Sequence, residues 1–231
     1  MPRVALTFDD GPGPMTERIL DILAAHGARA TFFVLGRNVA EAPWTQPPGD
    51  AARARALVER MVRGGHVVGN HTFSHAKPDR WLELGDDVGR CDAVLAELGV
   101  AAAPVRLPYG IRLPERTVRT EIGTTRAAAL DPRVAVLASL GRTHVHWTSD
   151  FDDWTLAPGD GPALAARMLQ HVEEMASLGL DAVLDLHDGG TGSGFGYTRM
   201  ATADALDPFL AEIVRRGYGM FVVPREEAKP T

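Results

Sequence analysis

Residues 4–12 read VALTFDDGP, an apolar run that closes on two adjacent carboxylates and a Gly-Pro turn. The apolar part, 4–8, predicts a buried strand of an α/β fold. Parallel α/β folds build their sites at the carboxyl ends of such strands. Adjacent residues on a regular strand face opposite sides, so Asp9 and Asp10 reach one site only if the strand ends there, as the Gly-Pro turn favours. A solvated acidic turn is the alternative interpretation.

The rest of the chain repeats this alternation of apolar runs and amphipathic stretches. The predicted strands are residues 4–8, 30–34, 66–69, 104–106, 143–147, 182–186 and 220–223. The predicted helices are residues 15–26, 51–63, 87–98, 132–140, 163–178 and 201–216. Strands and helices in alternation predict a mostly parallel sheet, open or closed into a barrel. Residues 41–50 and 111–131 are predicted loops, and residues 1–231 are predicted to form a single domain.

Composition narrows the classes of function. The 231 residues are 45% hydrophobic and 23% charged, as in a globular protein. The net charge of −6, without a long block of Lys and Arg, disfavours a nucleic-acid or anionic-membrane partner. A single cysteine, Cys91, excludes an internal disulfide and a cysteine-rich zinc site. The chain shows neither a leader pattern nor a long apolar run, which predicts a cytoplasmic protein if Met1 is the natural start.

A second motif, GNHTFSH at 69–75, carries two histidines spaced i, i+4. On one helical turn, His71 and His75 would face the same way and hold one metal ion. Asp10 would be the third protein ligand, and this set leaves the open position typical of a catalytic zinc site. A His-x-x-x-His pair alone is often a surface coincidence, so the metal hypothesis depends on the acidic pair beside it.

Three more motifs come at or after predicted strand ends. RLPYG at 106–110 offers an arginine that can pair with a carboxylate, and a turn that can present a backbone N–H to an oxyanion. DFDDW at 150–154 suggests a polar site with a sugar-stacking or acyl-packing wall. LDLHDGG at 184–190 places a histidine where it can act as a general acid or base. Each motif alone is also compatible with an ordinary loop.

Five of the eight histidines lie outside these motifs. We interpret them as structural or exposed. His144 and His146 alternate on one predicted strand, which makes them the only pair among these five to check for a ligand role.

Together the five motifs resemble those of the polysaccharide deacetylase family, also called carbohydrate esterase family four. TFDDGP, HTFSH, RLPYG, DFDDW and LDLHD occur in family order over residues 7–188, and residues 216–218 with the following strand are also similar. The resemblance implies an α/β fold that is a distorted (β/α)7 barrel with mostly parallel strands. It also implies a metal-dependent hydrolase that removes an N-acetyl or other N-acyl group from an amino sugar.

The resemblance assigns metal binding to Asp10, His71 and His75. Asp9 would be the general base, and Arg106 would orient it. The metal would be one divalent ion, with Zn²⁺ favoured and Co²⁺ or Ni²⁺ compatible with the same donors.

The remaining roles complete the reaction. Tyr109 would supply a backbone N–H to the oxyanion. His187 would be the general acid that protonates the leaving amine, and Asp153, or else Asp150, would tune or hold it. The resemblance also implies an acyl pocket, lined by Trp154 and Leu186.

The substrate class stays open between several alternatives. A cytoplasmic member of the family would act on a small, soluble N-acylated amino sugar or a related metabolite. Cleavage of formamides or cyclic amides on the same scaffold is an alternative, and a carbohydrate-binding protein without activity is a third. A panel of N-acetyl, N-formyl and cyclic amides, tested for metal-dependent turnover, separates them.

Overall fold

A computed structural model describes residues 2–45, 49–101, 103–111, 131–190 and 198–223 of the protein. Its strands are β1 (Arg3–Gly11), β2 (Thr31–Val34), β3 (Val67–Asn70), β4 (Ser149–Asp150), β5 (Ala182–His187) and β6 (Gly219–Met220). Its helices are α1 (Thr16–Ala25), α2 (Gly36–Ala40), α3 (Ala51–Arg63), α4 (Leu84–Ala96), α5 (Pro132–Ser139), α6 (Gly161–Ser177) and α7 (Met200–Arg215). Two 3₁₀ helices span Pro78–Glu83 and Asp153–Thr155.

The strands form one parallel sheet in the order β3-β2-β1-β5-β4, and β6 pairs with the first residues of β1. Isolated parallel bridges continue from the β3 edge, joining Asn70 to Val105 and Val105 to His144. A few residues later, the Thr148 N–H donates to the carbonyl of Val183 in β5. The ring of strands therefore closes irregularly, and the predicted distorted barrel with mostly parallel strands is confirmed.

The structure differs from the prediction where the ring closes. The predicted strands at 104–106 and 143–147 are reduced to single bridges. The reason is a side chain, because the Arg106 guanidinium donates to the carbonyls of Val145 and His146 at 3.0 and 3.4 Å. Pro104 has no N–H to give to a ladder. Regular pairing begins again only at β4.

Helices occur in all six predicted regions, and two of their starts have clear local causes. The Asp50 carboxylate caps α3 by accepting from the Arg53 N–H at 3.1 Å. Asp131 caps α5 by accepting from the Arg133 N–H at 3.0 Å, directly before a proline at the first helical position. The short helix α2 was not predicted. Of the predicted loops, residues 46–48 and 112–130 lie outside the described residues.

The central strands carry opposite chemistry on their two faces. The face toward the helices is apolar, and its fully buried residues include Val4, Leu6 and Phe8 of β1 with Leu184 and Leu186 of β5. Thr7, Asp9, Asp185 and His187 alternate with them and therefore face the barrel interior. The hydrophobic core thus lies between barrel and helices, and the interior is polar. Within the described ranges, no helix combines the length and apolar character needed to cross a membrane.

Candidate active site

The acidic pair of β1 reaches one site through a bulge. The strand does not end at Asp9 but continues to Gly11, and its register with β2 shifts between these two residues. Asp10 takes a left-handed backbone conformation, with φ at 68°. As a result, Asp9 Oδ2 and Asp10 Oδ1 lie 3.7 and 3.4 Å from the same atom, His71 Nε2. The prediction that the strand ends at this point is wrong, although both carboxylates do converge.

Asp10, His71 and His75 form a group that fits a divalent metal ion. One donor atom from each lies within 4.8 Å of the other two, and Asp10 Oδ1 is 3.2 Å from His75 Nε2. Asp10 Oδ1 is buried and has no hydrogen-bond partner among the described residues. A buried carboxylate oxygen without a donor needs a positive charge or a proton, and two imidazole nitrogens beside it complete a zinc-type donor set.

Both imidazoles are in a state that suits a cation. The Nδ1 atom of His71 lies 2.9 Å from the carbonyl of Arg106, which makes Nδ1 the protonated nitrogen and frees Nε2. Burial lowers the pKa of His75 to about 4, despite the opposing charge of Asp10. His75 is therefore neutral at pH 7, the form that binds metals.

The two histidines do not lie on a helical turn, and that interpretation of their spacing is wrong. Residues 71–77 form an irregular loop in which Thr72 and His75 have φ angles of 69° and 59°. Asn70 Oδ1 accepts from the Thr72 N–H at 2.7 Å, and Asp87 of α4 accepts from the Ser74 N–H at 3.1 Å. One local contact and one contact to α4 thus fix the loop, and the two imidazole centroids are 5.3 Å apart.

Arg106 fills the barrel interior and is fully buried. Its Nη1 donates to Asp9 Oδ1 at 2.9 Å, the contact that the resemblance implies for it. The same nitrogen also donates to Thr7 Oγ1 at 2.7 Å and to Asp185 Oδ1 at 2.8 Å. The Phe33 ring lies against the guanidinium, with its centroid 4.2 Å from the central carbon.

His187 is the cross-strand neighbour of Asp9 and is held by Asp153. Asp153 Oδ1 lies 2.7 Å from His187 Nδ1, while Oδ2 accepts from the His187 N–H at 2.9 Å and from Thr202 Oγ1 at 2.5 Å. Burial alone would lower the pKa of His187, but the charge of Asp153 and its hydrogen bond raise it well above the ordinary value. Asp150 instead accepts from the Asp152 N–H at 2.9 Å.

Two aromatic side chains stand exposed beside these groups. Tyr109 is 53% exposed, and its ring centroid lies 4.7 Å from that of His75. Its φ of 62° belongs to a tight turn, and no residue in the described part of the chain accepts a hydrogen bond from its N–H. Trp154 is 47% exposed and directly follows Asp153.

Leu186 does not reach the site, so its predicted place in the acyl pocket is corrected. It pairs with Phe8 and lies fully buried in the apolar core on the helix-facing side of β5. Strand alternation gives the reason, because neighbours of an inward-facing His187 must face outward.

His144 and His146 show no ligand geometry. Their ring centroids are 4.2 Å apart, and His144 Nδ1 accepts from the Leu107 N–H at 3.0 Å. No third donor joins them among the described residues. We interpret His144 and His146 as structural residues, which pack beside Arg106 and support the backbone around it.

Several supporting residues were missed from the sequence. Asn38 Nδ2 donates to the Asp10 carbonyl at 2.7 Å, and Arg133 binds the carbonyls of Pro108 and Gly110 at 2.9 and 2.6 Å. These contacts join residues far apart in the chain and leave no local signal.

Asp185 and Asp188 lie inside a quoted motif but were given no role. Asp188 is fully buried and accepts from Thr16 Oγ1 at 2.5 Å. Burial and the charge of Asp10 raise its pKa to about 7, although the Thr16 hydrogen bond opposes this. The inward placement of Asp185 follows from the alternation around His187, a signal that the sequence did contain.

Comparison with known proteins gives consistent matches. The sequence model of a family described as "Polysaccharide deacetylase" matches residues 1–125. A chitooligosaccharide deacetylase of Bradyrhizobium is 32% identical over 230 residues, covering 96% of this chain and 89% of that protein. A peptidoglycan-N-acetylglucosamine deacetylase of Bacillus cereus is 40% identical over 112 residues, covering 46% of this chain and 36% of that protein. The polysaccharide deacetylase Bc1974 of Bacillus cereus superposes with a TM-score of 0.68 at 25% identity, covering 100% of this chain and 96% of that one.

Proposed function

The chain belongs to the polysaccharide deacetylase family, and from this premise we propose that it hydrolyses the N-acetyl group of N-acetylglucosamine residues in short, soluble oligosaccharides. The products are acetate and a free amine on the sugar. The observation that carries the proposal is the convergence of an acidic pair, two histidines and an Asp-bound third histidine at the carboxyl ends of β1, β3 and β5. The chitooligosaccharide deacetylase relative, which this chain matches over nearly its full length, supports the choice of oligosaccharide.

Asp10, His71 and His75 are the proposed holders of one divalent cation, with Zn²⁺ the first choice for this donor set. When bound, such an ion polarises an acyl carbonyl and makes water a stronger acid. The orphaned oxygen of Asp10 and the free Nε2 of His71 support this assignment.

Asp9 is the proposed general base. Its Oδ1 is tied to Arg106, whereas its Oδ2 lies on the side of His71 and the cation site. Oδ2 is thus the atom that takes a proton from the attacking water, and a base held at the right position contributes about 10²–10⁴ in rate. Arg106 keeps the carboxylate from turning away.

His187 is the proposed general acid. Asp153 engages Nδ1, which leaves Nε2 as the nitrogen for proton transfer. The raised pKa favours the imidazolium at neutral pH. Such an acid is needed because an amide anion does not leave unless its nitrogen is protonated.

The exposed residues supply the remaining contacts. The Tyr109 N–H is the proposed donor to the oxyanion, since it is presented by a tight turn beside His75. Trp154 offers an exposed apolar face against which a sugar ring or an acetyl methyl group packs.

Product release tests the proposal. Acetate and formate are measured from a panel of N-acetylated chitooligosaccharides, N-acetyl and N-formyl amino sugars and cyclic amides, with native, chelated and zinc-restored protein. We expect acetate from the oligosaccharides, lost on chelation and restored by zinc, and abolished in Asp9→Asn. His75→Gln should lose zinc, whereas His26→Gln, at a surface pair with Asp207, should retain zinc and activity. Zinc binding without release from any compound would reject the proposed substrate class.

A further inference from the structure

Two of the three guanidinium nitrogens of Arg106 donate to backbone carbonyls and not to the proposed base, Asp9. Its Nε donates to the Val145 carbonyl and its Nη2 to the His146 carbonyl. The ring of Phe33 covers one face of the guanidinium. The Trp147 ring lies further away, with its centroid 5.2 Å from the central carbon of the guanidinium. Only Nη1 therefore reaches toward β1 and β5.

Nη1 is shared among three acceptors although it carries two hydrogens. Thr7 Oγ1, Asp9 Oδ1 and Asp185 Oδ1 lie 2.7, 2.9 and 2.8 Å from it. Asp9 is thus engaged through Oδ1 alone, and Oδ2 stays on the side of the cation site. Asp185 is the cross-strand partner of Thr7, and its side chain is only 4% exposed. Asp185 is thus the second carboxyl group, after Asp9, that contacts the single buried guanidinium of Arg106.

We propose that Asp185 is a positioning residue, which takes up part of the hydrogen-bonding capacity of Arg106 and so holds Asp9 with Oδ2 directed at the cation site. The inference rests on the proposed function, since that function makes Asp9 the base. Without Asp185, the two Nη1 hydrogens are divided between Thr7 and Asp9 alone. Nη1 can then turn toward Asp9 and draw its carboxylate, Oδ2 included, away from the cation site.

The surroundings of Asp185 also suggest how to test it. Burial and the charge of Asp9 raise the pKa of Asp185 well above its ordinary value, although the charge of Arg106 opposes this. The raised pKa favours a neutral carboxyl group at Asp185. An asparagine amide has the same shape, is neutral and keeps an oxygen for Nη1. Asp185→Asn therefore preserves the contact, and Asp185→Leu removes it at similar volume.

The test compares kcat, KM and zinc content of wild type, Asp185→Asn and Asp185→Leu on the best oligosaccharide of the panel. For Asp185→Leu we expect kcat to fall about 10–100-fold, the usual effect of losing a supporting hydrogen bond at a metal site, with KM and zinc content unchanged. Asp185→Asn should stay within about threefold of wild type. Unchanged kcat in Asp185→Leu, an equal loss in both variants, or lost zinc would overturn the inference. Asp185→Ala replaces the leucine variant if that protein does not fold.

A second measurement keeps this inference separate from the proposed function. If wild type releases no acetate, the proposed function fails, and the contact is then tested by thermal unfolding. Asp185→Leu should shift Tm in the wild-type background, where it removes an acceptor from Arg106 Nη1, by a different amount than in Arg106→Met, where that contact is already absent. Equal Tm shifts in both backgrounds would show that the two residues do not act together, and would overturn the positioning role.

Discussion

Asp153→Asn tests the link between a buried carboxylate and the proposed acid. In the native protein, Asp153 accepts from three donors, namely His187 Nδ1, the His187 N–H and Thr202 Oγ1. Asparagine has one acceptor oxygen where aspartate has two. The asparagine oxygen is expected to take the place of Oδ2, where it accepts from both the His187 N–H and Thr202 Oγ1. The amide NH₂ then faces His187 Nδ1. Nδ1 must then be an acceptor, and the imidazole becomes neutral.

The size and sign of the effect follow from the same contacts. The charge and hydrogen bond of Asp153 raise the pKa of His187, while burial lowers it. Asp153→Asn removes the main contributions that raise this pKa and leaves the effect of burial in place, so the pKa of His187 falls. Activity that needs the imidazolium is present below this pKa and is lost as pH rises through it. We expect kcat at pH 7 to fall about 10²–10⁴-fold, the value of a lost general acid, with the alkaline limb moved toward lower pH.

The assay is acetate release by zinc-loaded protein between pH 5 and 10, analysed as kcat and kcat/KM. Thr202→Val serves as the matched control, since it removes one donor to Asp153 but leaves the charge, and it should cost less than about tenfold. Zinc content should match wild type in both variants. If Asp153→Asn keeps its alkaline limb and a kcat within threefold of wild type, His187 is not the acid.

Two further predictions concern the loops that support the cation site. Gly189→Ala would place a Cβ 2.6 Å from the carbonyl carbon of Asp10, so we expect zinc affinity to fall about 10–100-fold by competition titration. Gly89→Ala, on an open face of α4, is its control, and should bind zinc normally and gain about 0.5–1 kcal/mol of stability. Asp188 has a pKa raised from 3.8 to about 7, so its contribution to stability is full below about pH 4 and is lost as pH rises to about 7. In chelated protein, denaturant titrations of wild type and Asp188→Asn should therefore diverge across this window by an amount on the order of 4 kcal/mol, and parallel curves would contradict the assignment.

The strand-end motifs located most of the site, because the carboxyl ends of parallel strands meet at one edge whatever the details between them. The local conformations were less accessible. The left-handed backbone at Asp10, in β1, is held by Asn38, which comes from helix α2. The loop after β3 is shaped by Asp87 rather than by its own helical tendency. Spacing alone cannot contain such contacts.

The wrong prediction for β5 has a different cause. The LDLHD motif suggests one function for neighbouring residues, although a strand divides them between two faces. Strand alternation counted from an inward-facing His187 sends Leu186 to the core and Asp185 to Arg106. The cytoplasmic location and the single-domain organisation stay predictions, since neither depends on the geometry described.

The alternation along β1 and β5 separates two kinds of sequence change. In β1, the even-numbered residues from Val4 to Phe8 pack in the hydrophobic core. The odd-numbered residues Thr7 and Asp9 contact Arg106 in the barrel interior. A laboratory library restricted to the odd positions would vary the reactive groups and leave the apolar core unchanged. Deleting one residue within β1 would exchange the two sets, placing carboxylates against the helices and leucine inside the barrel. Insertions and deletions within β1 should therefore disrupt the hydrophobic core, whereas substitutions at its odd-numbered, inward-facing positions should leave that core in place.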